Sequence, residues 1–166
     1  MLTGWDLAPL EAEGYPEEGS DSYYENARTK ALFGRRVGPP EAWMLGEDSG
    51  LEVAALGGAP GIRSARYAPG NEANAKLLGE LRGVEGAERR ARYVCELVLI
   101  GPGGEERRGT GILVGRIDEE PRGTGGFGYD PVFVPDGEAQ TVAELGDEWK
   151  SRKSHRARAA RALQQS

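Results

Sequence analysis

The stretch Arg90-Ala91-Arg92-Tyr93-Val94-Cys95-Glu96-Leu97-Val98-Leu99-Ile100, with Pro102-Gly103-Gly104 and Glu105 to Ile117 behind it, decides the fold. Its first part is rich in aliphatic and aromatic residues and reads as a strand. Pro102-Gly103-Gly104 turns the chain, and Glu105 to Ile117 returns as an antiparallel partner. Helical patterns lie on both sides of this predicted hairpin. Upstream, Gly19-Ser20-Asp21-Ser22-Tyr23-Tyr24-Glu25-Asn26-Ala27 opens a helix, with Ser22 and Glu25 at capping-box spacing. Tyr24, Ala27, Ala31 and Leu32 are expected to share its buried face, and Gly38-Pro39-Pro40 ends it. Ala42 to Gly46 suits a short strand, which Glu47-Asp48-Ser49-Gly50 interrupts and Leu51 to Leu56 resumes. Gly57 to Gly61 forms a loop with Ser64-Ala65-Arg66-Tyr67 at its end. A second helix runs from Asn71 to Leu81, with Ala73, Leu77, Leu78 and Leu81 as its apolar members.

Downstream of the hairpin comes a glycine-rich loop, then a short strand at Val132-Phe133-Val134 and a turn at Pro135-Asp136-Gly137. The rest reads as helix with a break near Ser154, which caps a last helix running to about Gln164. The expected class is mixed α/β, in one domain spanning residues 1–166.

Composition narrows what such a domain does. With 38% hydrophobic and 29% charged residues, the chain has the make-up of a soluble globular protein with a sizeable core. No apolar run reaches membrane-spanning length, and the start lacks the basic-then-apolar pattern of a signal peptide, so a cytoplasmic location without membrane contact is expected. The net charge of −6 argues against a nucleic-acid-coating surface. It leaves room for a mononucleotide, which needs only one local cationic pocket. Lys150, Arg152, Lys153, Arg156, Arg158 and Arg161 supply a basic cluster, with His155, the only histidine, among them. The single cysteine, Cys95, excludes an intramolecular disulfide and a cysteine-based zinc site, and is expected as a small buried hydrophobe.

Three groups of residues can carry chemistry. The run Gly123-Thr124-Gly125-Gly126-Phe127-Gly128-Tyr129-Asp130-Pro131 places four glycines in nine positions. Such a backbone can approach a bound group closely while offering N–H donors, a stacking ring and a carboxylate, which suits a nucleotide. A long hairpin connection is the plainer alternative. Glu47 and Asp48 set two carboxylates in an apolar stretch, where a hard cation such as Mg2+ would neutralise them and one could take a proton from water. A solvated acidic turn explains them equally well. Lys150, His155 and Arg156 are the cationic candidates. His155 and Arg156 fall in the first turn of the last helix, a position that favours anions, so a bound anion or polar base would rationalise them. The alternative is a basic helix end in solvent. Glu25 has a structural explanation in its capping-box position.

Taken in order, these segments resemble the inosine triphosphatase-like family, also called XTP/dITP pyrophosphatases. The matching stretches are Tyr24-Glu25-Asn26-Ala27 with Lys30-Ala31, Glu47-Asp48-Ser49-Gly50-Leu51, and Leu56-Gly57-Gly58-Ala59-Pro60-Gly61 with Ser64-Ala65-Arg66-Tyr67. Gly123 to Pro131, Ala143-Glu144-Leu145, and Lys150 with Ser154-His155-Arg156 complete the set. The resemblance implies an elongated mixed central sheet flanked by helices, two lobes with a cleft between them, and a homodimer. It implies Mg2+-dependent hydrolysis of deaminated purine nucleoside triphosphates (dITP, ITP, XTP) to the monophosphate and pyrophosphate, with water attacking the α-phosphorus. Asp48 then resembles the proton acceptor and metal ligand, with Glu25 and Glu47 as further metal-site carboxylates. Ser49 resembles a substrate contact. Phe127, Gly128, Tyr129 and Asp130 resemble the base-binding loop, and Lys150, His155 and Arg156 the base- and phosphate-contact set.

Two departures accompany the resemblance. Glu47 stands where the family has aspartate. The family's opening strand and Thr/Ser-Gly/x-Asn-x-x-Lys phosphate turn also have no counterpart, since Met1-Leu2-Thr3-Gly4 runs into Trp5, and Gly4-Trp5-Asp6-Leu7 instead resembles the second strand. About 20–25 residues, one strand and one helix, are therefore expected to be missing. The alternative that follows is a catalytically weak or inactive nucleotide-binding relative.

Overall fold

The computed structural model describes residues 5–17, 19, 22–69 and 72–166. Met1 to Gly4, Ser20, Asp21 and Asn71, which enter the sequence-based expectations, lie outside them.

The described residues form a sheet of five strands: Met44–Val53 (β1), Pro60–Gly61 (β2), Arg90–Ile100 (β3), Glu106–Ile117 (β4) and Phe133–Pro135 (β5). Their order is β2-β1-β3-β4-β5. β1 pairs antiparallel with β2, Leu51 opposite Gly61, and β4 with β5, Arg116 opposite Val134. The helices are Tyr23–Val37 (α1), Ala73–Glu80 (α2), Val142–Lys153 (α3) and His155–Gln165 (α4). None is long and apolar enough to cross a membrane, among the described residues.

The predicted hairpin stands. Gly101 donates to the Glu105 carbonyl at 2.8 Å and closes the turn between β3 and β4. The expected interruption of β1 does not occur: Glu47-Asp48-Ser49-Gly50 continues one strand, because alternation gives each acidic side chain its own face and partners. In α1, Ser22 Oγ accepts from the Glu25 amide at 3.5 Å, the N-cap half of the expected box. Leu32 is not on its buried face but 38% exposed, and Phe33 and Gly34 are buried instead. Trp5 to Leu7 forms no strand. The break at Ser154 separates α3 from α4 as expected. A complete capping box, not foreseen, lies at Thr141 and Glu144 at the start of α3.

Contacts divide the chain into two compact units. The first comprises residues 1–49, 95–111 and 155–166. It is layered, with α1 on one face of its strands and α4 on the other. Even-numbered strand residues Val98 and Ile100 pack on Ala27 and Ala31 of α1. Odd-numbered Leu45, Cys95, Leu97 and Leu99 pack with Ala159, Ala160 and Leu163 of α4. Small residues let the helices come in: a side chain at Gly46 would collide with the Ala27 carbonyl, and side chains at Gly109 and Gly111 with the α4 backbone. Cys95 is fully buried, and its burial pushes the thiol pKa well up, so it serves as core.

The second unit comprises residues 50–94 and 112–154. Its core joins Leu51, Val53, Tyr93 and Leu113 of the sheet to Leu77 and Leu81 on the α2 side and Val142 of α3. The buried Arg89 guanidinium donates to four carbonyls, those of Leu81, Val84, Ile117 and Asp118, and ties the end of α2 to the end of β4.

Candidate functional site

In the first unit the acidic pair of β1 is split by the strand's own pleat. Successive side chains leave a strand on opposite faces. Asp48 turns toward α1 and is only 6% exposed. Lys30 Nζ donates to its Oδ1 at 3.0 Å, and Asn26 Nδ2 donates to its Oδ2 at 3.0 Å. Lys30 also donates to the Glu47 carbonyl at 3.0 Å, which fixes the backbone just before Asp48. Asn26 and Lys30 sit four apart on α1, one helical turn, so both reach the same carboxylate.

Glu47 turns the other way, toward α4. Its Oε1 accepts from Ser49 Oγ at 3.1 Å and from Arg156 Nε at 2.5 Å, while Arg156 Nη2 donates to Ser49 Oγ at 3.0 Å. Glu47, Ser49 and Arg156 thus form one closed group. His155, beside Arg156 at the start of α4, is buried. Glu25 lies exposed in the first turn of α1.

This geometry bears on a metal ion. Mg2+ uses one or two carboxylates and fills its shell with water and phosphate oxygens. Asp48 is a carboxylate of the type that demand calls for, with Lys30 and Asn26 among its hydrogen-bond donors. Glu47 leaves the strand on the opposite face with an arginine on it. Among the described residues, no three His, Cys, Asp or Glu side chains gather into a metal-holding group. Of the acidic candidates on β1, Asp48 alone lies on the α1 face, and one carboxylate is within what such a cation uses.

In the second unit the glycine-rich loop is built as a platform. Gly123, Gly126 and Gly128 take φ of +80°, +77° and +59°, values that side chains disfavour. Asp130 organises the loop from inside, at 4% exposure. Its Oδ2 accepts from the Phe127 amide at 2.9 Å and from Lys150 Nζ at 2.6 Å. Phe127 is left 61% exposed, with Lys150 Nζ 4.6 Å from its ring centroid. A ring held this way can stack on a planar ligand beside a cation. Tyr129 is buried rather than presented: its hydroxyl donates to the Ser64 carbonyl at 2.9 Å, and burial pushes its pKa up to about 12. Asn74 Nδ2 of α2 donates to the Gly128 carbonyl at 3.0 Å.

The candidates from sequence thus fall into three groups: Asp48 with Lys30 and Asn26; Glu47 with Ser49 and Arg156; and Phe127, Asp130 and Lys150 around the loop. Lys150 and Arg156, grouped by sequence proximity, serve different carboxylates. Sequence reasoning assigned no role to Asn26, Lys30 or Asn74. The i, i+4 spacing of Asn26 and Lys30 was a usable signal, whereas nothing in the sequence links Asn74 to Gly128.

The Ham1 family model matches residues 2–166. The chain is 46% identical to the dITP/XTP pyrophosphatase of Thermus thermophilus, covering 96% of this chain and 79% of the relative. It is 45% identical to the dITP/XTP pyrophosphatase of Bacillus licheniformis, covering 96% and 84%. Among solved structures, it is similar to the Ham1 protein of Staphylococcus aureus, with a TM-score of 0.80, 38% identity and coverage of 90% and 78%. It is also similar to a HAM1 protein of Coxiella burnetii, with a TM-score of 0.82, 35% identity and coverage of 92% and 79%.

Proposed function

The chain belongs to the Ham1 family, and on that premise we propose that it hydrolyses deaminated purine nucleoside triphosphates, dITP, ITP and XTP, to the monophosphate and pyrophosphate. The activity in the names of its relatives supports the reaction class. The observation that carries the reading is the Asp48 carboxylate, buried and gripped at both oxygens by Lys30 and Asn26. A carboxylate so held keeps one orientation and can still accept a proton or a ligand.

In this reading Asp48 takes the proton of the water that attacks the α-phosphorus. Asp48 would also hold Mg2+, with Glu25 as the proposed second carboxylate; the cation, when bound, neutralises phosphate charge. Glu47 has a different part: with Arg156 it sets the position of Ser49, a proposed substrate contact. Displacement at phosphorus needs positioning and charge neutralisation more than covalent help, so a few cationic side chains suffice.

Phe127 offers its exposed face to the purine ring. Lys150, His155 and Arg156 are the donors proposed for the base and phosphates. A deaminated purine has a carbonyl at C6 where adenine has an amino group. A site that offers a donor there accepts the first and leaves its donor unpaired against the second, which discriminates better than size alone. A homodimer in the cytoplasm is part of the same proposal, and sedimentation measures the first half of it.

The test is pyrophosphate release from dITP with Mg2+, run beside dATP and dUTP. The reading expects dITP to be preferred at least about tenfold in kcat/KM. It expects Asp48→Asn to lower kcat by about 10²–10⁴-fold while the folded spectrum persists. Binding of dIMP without turnover would mark a non-catalytic relative, and faster turnover of dUTP would mark a different substrate class.

A further inference from the structure

We infer that Asn74 is a positioning residue for the Phe127 loop and so sets the affinity for the purine ring. This rests on the reading that the loop takes the base.

The loop's conformation is set mostly from within and from α3: Asp130 holds the Phe127 amide and Lys150, and the Ala143 amide donates to the Asp130 carbonyl at 3.1 Å. Those ties all run through Asp130, whose amide also donates to the Phe127 carbonyl at 3.3 Å. The residue after the stacking ring has a separate anchor. Gly128 follows Phe127 directly and takes a φ of +59°. Its carbonyl accepts from Asn74 Nδ2, at 3.0 Å, on the first turn of α2. Without that bond, a glycine with access to both signs of φ loses the tie on its own carbonyl, and the turn that presents Phe127 is held by Asp130 alone among the contacts described above.

Asn74 serves this contact at a cost to itself. Its Oδ1 is buried and accepts no hydrogen bond from any described residue. An unpaired buried amide oxygen opposes folding, so stability alone favours an apolar or small side chain here. Asparagine also ranks below alanine as a helix former. A residue kept only for the fold would not combine these two penalties with one bond to a loop carbonyl. Stability and function therefore pull in opposite directions at this position, which makes the inference testable.

Two variants separate the effects. Asn74→Ala removes both the donor and the unpaired oxygen. Asn74→Asp keeps the shape, removes the donor, and adds a charge that the helix N-terminus tolerates. For both, KM for dITP is expected to rise about three- to tenfold, the scale of one lost hydrogen bond, with kcat within about twofold. The melting temperature of Asn74→Ala is expected to match or exceed that of the parent chain. Amide exchange across residues 123–131 is expected to quicken by about three- to tenfold in both variants.

A joint fall of kcat and melting temperature in both variants would assign Asn74 to the fold and overturn the inference. Unchanged exchange in the loop overturns it whichever way the nucleotide assay turns out. If the parent chain itself fails to turn over dITP, the substrate reading falls. The exchange measurement then still decides whether Asn74 anchors the loop.

Discussion

Lys30 Nζ lies 3.0 Å from Asp48 Oδ1 and equally close to the carbonyl of Glu47, so one ammonium clamps both the side chain and the backbone of the strand carrying it. The pair is unequal in exposure: the Asp48 side chain is 6% exposed and that of Lys30 26%. Burying the carboxylate costs free energy that its two α1 partners offset.

Removing Lys30 therefore acts on fold and chemistry together. Lys30→Met leaves a buried carboxylate with its cation gone, and the unfolding free energy is expected to fall by about 1–3 kcal/mol, less than for a fully enclosed pair because water reaches the ammonium side. Urea unfolding with an unchanged slope measures this. The dITP-dependent kcat is expected to drop at least about tenfold, since Asp48 loses its orientation. A variant as stable and as active as the parent would remove Asp48 from the proposed mechanism's centre.

Arg156 predicts the reverse balance. Its ion pair with Glu47 is part-exposed on both sides, 38% and 36%, a setting in which such pairs contribute about 0–1 kcal/mol. Arg156→Gln is expected to shift the melting temperature by no more than a few degrees. If Arg156 meets the substrate as proposed, KM for dITP rises about tenfold or more in the same variant. A large stability loss with an unchanged KM would leave Arg156 a purely structural partner of Glu47 and Ser49.

The buried hydroxyl of Tyr129 predicts how stability responds to alkali. Burial raises its pKa from the model-peptide 10 to about 12, so between those values the folded state keeps a proton that the unfolded chain releases. The stabilisation is complete below pH 10 and is lost as pH climbs toward 12, to the extent of about 3 kcal/mol for a shift of this size. Tyr129→Phe is expected to flatten that part of the stability–pH curve, after a constant loss from the missing bond to the Ser64 carbonyl. Parallel curves for the two proteins would contradict it.

Several elements were legible because their causes are local. The hairpin from Arg90 to Ile117 was readable from its apolar run and its Pro-Gly-Gly turn, and Ser154 marked the break between the last two helices. The box at Thr141 and Glu144 is equally local, a Thr-x-x-Glu spacing visible in the sequence. Glu47 to Gly50 reads as an interruption from sequence, yet the strand runs through it with two adjacent carboxylates. They are tolerated since each finds a different partner on a different face. Helical periodicity puts Leu32 with the core positions of α1, yet the strands meet Ala27 and Ala31, so it stays at the surface.

Sequence by itself determined which residue types were on hand for the chemistry, which strands and helices would carry them, and the family whose ordered motifs they match. Those features depend on neighbours a few positions apart, through backbone preference, side-chain periodicity and capping. Only the tertiary structure decided that Asp48 belongs to Lys30 and Asn26 while Glu47, the very next acid, belongs to Arg156, 109 residues away. It likewise placed Asn74 beneath the Gly128 carbonyl, 54 residues on. The physical reason is that a buried polar group must find its partner in space, and chain distance carries no information about which helix will pack over which face of a strand.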